Sequence, residues 1–150
     1  MRVVLNRQSR VRVDISGARR FVGKLRRTLK LGRRGFTVCL VDDPAIRRLN
    51  CAFRGQDRPT DVLSFPWRKG FIPSKGGRAR ERELGAYLGD IVISAQSARR
   101  NARAERHPTE HEILWLILHG VLHLLGYDHE TDFGKMNGLE RRLRARLKID

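Results

Sequence analysis

Three of the five histidines in this 150-residue chain lie close together, at His119, His123 and His129. The run from 113 to 125 is mostly apolar and suits a buried helix, so His119 and His123, four residues apart, share one helix face and can converge on one ion. Gly126 can end that helix in a left-handed conformation. The chain can then turn back and bring His129 to the same ion. The spacing therefore predicts a metal site.

The number of ligands indicates which kind of metal site this would be. Structural zinc sites are closed by four protein ligands, often cysteines, whereas catalytic sites keep three and leave one position open. Two imidazoles in an apolar helix are costly to bury unless something satisfies them, and an ion would do so. We expect one divalent ion per chain, zinc in preference to nickel, cobalt or iron, which three histidines also bind. The alternative is a set of core histidines paired with backbone carbonyls.

The spacing resembles the metzincin pattern His-Glu-x-x-His-x-x-Gly-x-x-His, except that Gly120 stands in the place of the glutamate. In metzincins that glutamate takes the proton of zinc-bound water, so its absence counts against a peptidase. Asp128 and Glu130 are candidates for the base by proximity. Hydrogen bonding in a turn explains Asp128 equally well, and a solvated helix start explains Glu130.

The other two histidines are not expected to join this site. His111 precedes His119 by eight residues, about 12 Å along a helix, and His107 lies farther still. We interpret both as surface residues, or as residues that hold the metal ligands in position without binding the metal themselves.

The chain carries 32 Lys and Arg residues against 16 Asp and Glu, a formal net charge of +16. Such an excess gives salt-sensitive affinity for phosphates, so nucleic acid is the expected partner. A general preference of the source proteome for arginine is the alternative explanation. No apolar run is long enough to span a bilayer, and the first residues are basic without a signal-peptide core, so we expect a cytoplasmic protein that does not enter a membrane.

Hydrophobic periodicity predicts the elements that would position these residues. Strands are expected at 3–15 (or a short hairpin), 36–41, 61–65 and 84–93, and helices at 16–32, 43–55, 95–106, 109–125 and 133–149. Ser16 and Asp43 are expected to cap their helices, and Thr109 with Glu112 to form a capping box. The strand at 61–65 is expected at a sheet edge, because Pro59 and Pro66 bracket it.

These elements mix strands and helices without strict alternation. They predict a single α+β domain over residues 1–150, in which a mixed four-stranded sheet and helices pack around a central metal-binding helix. The segment 67–83 is rich in Gly, Pro, Lys and Arg and is interpreted as a basic loop, with a tolerated insertion as an equal alternative. Cys39 and Cys51 match no paired metal-ligand spacing and are expected to be buried thiols.

Several short blocks, read together with the segment from His119 to His129, resemble the bacterial YbeY family. They are Leu49-Asn50, Phe53-Arg54-Gly55, Pro59-Thr60-Asp61-Val62-Leu63-Ser64-Phe65-Pro66 and Leu88-Gly89-Asp90-Ile91. The blocks occur in the family's order, and the flanking elements fit its plan, so the resemblance covers essentially the whole chain. The segment 67–83 is longer and more basic than the family pattern.

The resemblance implies a zinc-dependent endoribonuclease, specific for single strands, that acts in 16S rRNA 3′-end maturation, late 70S ribosome assembly and ribosome quality control. It implies three partners, namely the small ribosomal subunit, one of its proteins and the GTPase Era. It also implies that His119, His123 and His129 hold the metal and that Arg54 acts in the site, where a guanidinium can bind phosphate through two hydrogen bonds.

Two other functions stay open at this point. The histidine spacing allows a metzincin-like metallopeptidase, although the missing glutamate and the positive charge count against it. The chain could instead be a non-catalytic ribosome-assembly factor in which the metal only stabilises the fold. An open coordination position favours catalysis over that last alternative.

Overall fold

The computed structural model describes residues 3–67, 86–128 and 134–150. Over these ranges the chain forms four strands and five helices. The strands are β1 (Val4–Asn6), β2 (Gly35–Val41), β3 (Val62–Pro66) and β4 (Tyr87–Ser94). The helices are α1 (Ile15–Thr28), α2 (Asp43–Arg54), α3 (Ala95–Glu105), α4 (Thr109–Leu124) and α5 (Lys135–Leu147).

The four strands form one mixed sheet in the order β1-β2-β4-β3. β1, β2 and β4 run parallel, and β3 is antiparallel to β4, with Leu63 opposite Val92. β2 alternates buried and half-buried residues, as expected of a strand with unlike faces. The predicted α+β class, the mixed four-stranded sheet and the edge position of β3 are confirmed.

Helix α4 is the centre of the fold. It packs against α1, α3 and α5 and against strands β3 and β4. Ile113, Ile117, Leu118, Val121 and Leu122 on this helix are at most 1% exposed, and each such side chain contributes roughly 1.5–3 kcal/mol by leaving water. An apolar run with no polar face is stable only in such a surrounded position. The predicted central helix is therefore confirmed.

Several predicted boundaries and caps are wrong. Of the strand or hairpin predicted at 3–15, only β1 is a strand. The carboxylate of Asp14, not Ser16, caps α1 by accepting from the Ser16 N–H at 3.0 Å. Likewise Asp42, not Asp43, caps α2 by accepting from the Ala45 N–H at 3.0 Å. In both places two good capping residues lie within two positions, so propensity alone does not separate them.

The predicted capping box at the start of α4 is also absent. Pro108 is the residue before the helix, and no side chain caps it. The carboxylate of Glu112, which a capping box would require, instead contacts His107 Nε2 at 2.7 Å. Cys51 is exposed on α2, contrary to the expected buried thiol.

Two predicted features lie outside the described residues. These are the part of the basic segment from 68 to 83, and the pair His129 and Glu130. Among the helices of the described ranges, none combines the length and the apolarity needed to cross a membrane.

Candidate active site

A cleft of about 690 Å³ lies between the edge strand β3 and the C-terminal end of α4. Its walls contain four of the residues that the sequence singled out, namely Arg54, His119, His123 and Asp128. The remaining lining residues are Thr60, Asp61, Val62, Leu63, Ser64, Pro66, Gly126 and Tyr127. The fold thus brings Arg54 together with a histidine pair that lies more than sixty residues later in the chain.

His119 and His123 face each other one turn apart on α4. Their Nε2 atoms are 3.0 Å apart, and their ring centroids are 4.6 Å apart. Two imidazole nitrogens bound to one tetrahedral zinc at about 2.0–2.1 Å would stand roughly 3.3 Å apart. The pair is therefore close to the separation that chelation requires, and its donor chemistry fits a divalent ion. No group of three possible ligands occurs within residues 3–67, 86–128 and 134–150, and the predicted third ligand, His129, lies outside them.

Glu140 on α5 supports this pair and was missed in the sequence. Its carboxylate lies 2.6 Å from His119 Nδ1, and its side chain is 7% exposed. A carboxylate accepts hydrogen bonds, so Nδ1 carries the hydrogen and the lone pair of Nε2 points towards His123. Carboxylates hold many metal-binding histidines in this way. The sequence does contain a signal, because Glu140 shares the buried stripe of Met136, Leu143 and Leu147. Leu139, on the same helix, is only half-buried.

Arg144 and Trp115 hold Glu140 in place. Arg144 donates to the second carboxylate oxygen of Glu140 at 3.2 Å. The Arg144 guanidinium lies over the Trp115 ring, 3.9 Å from its centroid. Trp115 in turn donates from its indole N–H to the Ile149 carbonyl. A series of contacts therefore runs from His119 in the cleft to the backbone of Ile149 near the C-terminal end of the described residues.

Gly120, the residue in the metzincin glutamate position, has a packing role. A Cβ at this position would lie 2.7 Å from Ile91 Cγ2 on β4, closer than real contacts allow. The Gly120 carbonyl also accepts from the Ser64 hydroxyl at 3.3 Å, which joins α4 to β3. Any larger side chain here would force Ile91 or the helix to shift. A glutamate has no room at this position.

Arg54 enters the cleft because α2 ends beside β3. Gly55 follows α2 with φ 67, and the Asn50 side chain donates to the Arg58 carbonyl at 2.9 Å, so the turn into β3 is held in place. Asp61 is tied to α3, where Asn101 donates to its carboxylate at 3.1 Å. Thr60, Asp61 and Ser64 all line the cleft, and Asp61 and Ser64 also have hydrogen-bond partners within the fold.

Asp128 is exposed where the chain leaves α4. Gly126 adopts φ 100, a conformation that residues with a Cβ rarely take, and it turns the chain at the helix end as predicted. The Tyr127 N–H donates to the Leu122 carbonyl at 3.0 Å, which closes the last turn. This turn brings the Asp128 carboxylate into the same cleft as the histidine pair.

His107 and His111 form a separate cluster with Trp115. The His107 and His111 rings lie 4.9 Å and 5.2 Å from the Trp115 ring, and both histidines are half-buried, so neither is a plain surface residue. Burial lowers the pKa of His111, and the nearby His107 adds to this effect. These histidines belong to the packing between α4 and the end of the chain.

Known proteins are similar to this chain in sequence and in fold. The family model described as Endoribonuclease YbeY matches residues 4–148. A protein from Nitrobacter hamburgensis named Endoribonuclease YbeY is 46% identical over 114 residues, 75% of this chain and 57% of that protein. One of the same name from Solibacter usitatus is 44% identical over 130 residues, 87% of this chain and 77% of that protein.

The solution structure of TM1509 from Thermotoga maritima is also similar, with a TM-score of 0.57 and 28% identity. The match covers 99% of this chain and 92% of that one. Against the relatives from Nitrobacter hamburgensis and Rhodopseudomonas palustris strain HaA2, the chain spans only 57% and 60% of their length. The family model nevertheless covers nearly every residue, and the chain therefore belongs to the YbeY family.

Proposed function

We propose that the chain is a zinc-dependent endoribonuclease that cuts single-stranded RNA. The observation that carries this proposal is the cleft, which Arg54 lines together with the paired His119 and His123. A phosphate-binding side chain beside paired metal-binding groups suits phosphodiester hydrolysis, and the net charge of +16 suits a polyanionic substrate. The name Endoribonuclease that the relatives bear agrees with this activity.

The metal would be held by His119, His123 and His129, with about one divalent ion per chain. A zinc ion bound there supplies Lewis acidity at neutral pH. Glu140 fixes the orientation of the His119 ring from behind, at 2.6 Å from Nδ1. This contact would hold the His119 ring in the orientation that metal binding requires.

Arg54 would bind the scissile phosphate. Its guanidinium can donate two parallel hydrogen bonds to phosphate oxygens and offset the charge that develops as the P–O bond breaks. Asp128, in the same cleft, would accept the proton that the attacking water releases. The leaving oxygen of the RNA would then take up a proton as the strand separates.

The metallopeptidase alternative is weakened by the packing at Gly120. A metzincin needs a glutamate at this position, and Ile91 occupies the space in which that side chain would begin. The alternative of a non-catalytic assembly factor predicts metal binding without cleavage, and only an assay separates it from the enzyme.

In the cell we propose a role in 16S rRNA 3′-end maturation, late 70S ribosome assembly and ribosome quality control, within the cytoplasm. The small ribosomal subunit, one of its proteins and the GTPase Era would be the partners. Family membership supports these roles.

The test compares four proteins purified identically on one structured rRNA fragment. These are the wild type, Arg54→Ala, His119→Ala and Arg48→Ala, in which an exposed arginine of the same helix but outside the cleft is lost. We expect Arg54→Ala to keep its metal and fold but to cut about 100-fold more slowly, the scale for losing one donor to developing charge. His119→Ala should lose both metal and activity, and Arg48→Ala should behave like the wild type.

Other outcomes would contradict the proposal. Equal cutting by all four proteins would identify a contaminating nuclease. Metal bound without any cleavage by the wild type would favour the assembly factor. Faster cleavage of a peptide panel than of RNA would favour the peptidase despite Gly120.

A further inference from the structure

Two aromatic side chains stand exposed beside the cleft. Phe53 is 68% exposed and Tyr127 is 37% exposed, and they are the large exposed hydrophobic residues of the described ranges. Each directly precedes a polar residue of the cleft wall, Phe53 before Arg54 and Tyr127 before Asp128. The two aromatic residues therefore come from different elements, Phe53 from α2 and Tyr127 from the turn that ends α4, and Tyr127 itself lines the cleft.

Phe53 is not part of the core beneath α2. That core consists of Ile46, Leu63 and Val92, with Phe65 packed partly against it. The Phe53 ring meets Phe65 edge to face, with centroids 5.1 Å apart and planes at 69°. This contact helps to orient the ring, while most of its surface stays open to solvent. An exposed aromatic ring next to a phosphate-binding residue offers a flat face on which a base can stack.

We propose that Phe53 and Tyr127 are stacking platforms for unpaired bases on either side of the phosphate bound at Arg54. The proposal rests on the proposed function and adds to it the groups that select unpaired RNA. Every base has a flat π-face, so stacking on an aromatic ring binds single strands with little sequence preference and contributes about one to two orders of magnitude in affinity per base. Bases in a duplex are already stacked on their neighbours and cannot use these rings.

Charge complementarity favours a nucleotide over an apolar protein segment as the occupant. Arg54 and Arg58 are exposed at the end of α2 and in the loop that follows it. A purely apolar partner would have to cover these guanidinium groups without pairing them, which is costly. A nucleotide presents a base to Phe53 and a phosphate to the arginines at the same time.

The test measures binding of the full chain to a nine-residue RNA, as a single strand and as a duplex, with 2-aminopurine placed at successive positions. Phe53→Leu keeps an apolar side chain and removes the ring. We expect it to bind the single strand about 5-fold to 100-fold more weakly and the duplex unchanged. Phe53→Trp should bind at least as tightly as the wild type, and its fluorescence should be quenched by RNA. Tyr127→Leu should reproduce the selective loss, and Cys51→Ala, an exposed change on the same helix, should have no effect.

Three results would overturn the proposal. Phe53→Leu and Tyr127→Leu could both bind the single strand like the wild type, which would mean that the rings are not contacted. Both variants could lose affinity for the single strand and for the duplex to the same extent, which would indicate a general effect on the fold or the charge. The wild type could fail to bind RNA at all, in which case the proposed function falls with the platforms. Normal cleavage by the wild type with unchanged binding by both leucine variants rejects the platforms alone.

Discussion

His119 Nδ1 lies 2.6 Å from the carboxylate of Glu140, across the packing of α4 on α5. This contact joins a histidine of the cleft to a buried acid that was not expected from sequence. The acid is itself paired with Arg144, so its charge is compensated although it is almost fully buried.

Glu140→Gln should weaken zinc binding about 10-fold to 100-fold, the range seen when a supporting carboxylate is removed from a metal-binding histidine. The glutamine can still accept a hydrogen bond from Nδ1 and hold the ring. The decrease in zinc affinity therefore reports mainly the contribution of the negative charge of Glu140. Zinc affinity would be measured by competition with a chelating indicator. Glu110→Gln, an exposed acid in the first turn of α4, is the matched control and should bind like the wild type. Equal affinity of Glu140→Gln and the control would remove Glu140 from the site.

Gly120→Ala should lower the free energy of unfolding by about 1–3 kcal/mol, because the new methyl group would overlap Ile91 on β4. Gly23→Ala in α1 is the control. A Cβ there meets only Arg27 Nη1, at an ordinary 3.6 Å, so helix propensity should make this change neutral or stabilising. Urea denaturation measures both.

The clash itself is tested by a double-mutant cycle with Ile91→Ala. Removing the Ile91 side chain makes room for the new methyl group, so Gly120→Ala should cost much less in that background. An equal cost in both backgrounds would show that the helix, not the contact, is responsible.

Asp43→Asn should lower the free energy of unfolding by about 2 kcal/mol at pH 7, the scale of hydrogen bonds to a charged group. Burial acts to raise the pKa of Asp43, but hydrogen bonds from Arg100, Ser94 and Ser97 and the charge of Arg100 outweigh it and hold the pKa below 3.8. A depressed carboxyl pKa stabilises the fold above pH 3.8, and this contribution disappears as the pH falls through the folded-state value. Urea titrations at pH 7 and pH 3 should therefore show a smaller difference between variant and wild type at pH 3. A difference independent of pH would contradict the prediction.

His111→Phe should reduce the loss of stability at mildly acidic pH. Burial, then the charge of His107, lowers the pKa of His111 below 6.5 in the folded chain. A base with a lowered pKa favours the fold above pH 6.5, and the stability falls as the pH drops through the folded-state pKa. Thermal unfolding of metal-free protein at pH 7.5 and pH 5 should show a smaller decrease in Tm for the variant. An identical decrease in both proteins would show that His111 is not the source of the pH sensitivity.

Periodicity was sufficient to predict the sheet class and the central helix. An apolar stretch of the length of α4 has few stable positions other than the middle of a fold, and proline on both sides of β3 restricts that strand to an edge. Helix starts were less predictable, because two capping residues stand close together at each of them, Asp14 with Ser16 and Asp42 with Asp43. The capping box failed because Glu112 finds a tertiary partner in His107.

The candidate site was predictable to a different degree for each residue. The pairing of His119 with His123 follows from helix geometry alone. The position of Arg54 in the same cleft depends on how α2 ends against β3, and only the family resemblance indicated it. The role of Glu140 depends on how the consecutive helices α4 and α5 pack together, and an acid within an apolar stripe gives no sign of its partner.

The free edge of β3 has a consequence for solubility. Within the described chain this strand ends the sheet, so one side of it presents unpaired backbone N–H and C=O groups that could template aggregation. The strand is only five residues long and ends in Pro66, which limits pairing with a second copy. Electrostatic repulsion between copies that each carry a net charge of +16 opposes such contacts further. The charge that would attract RNA to the cleft therefore also keeps the molecules from joining edge to edge.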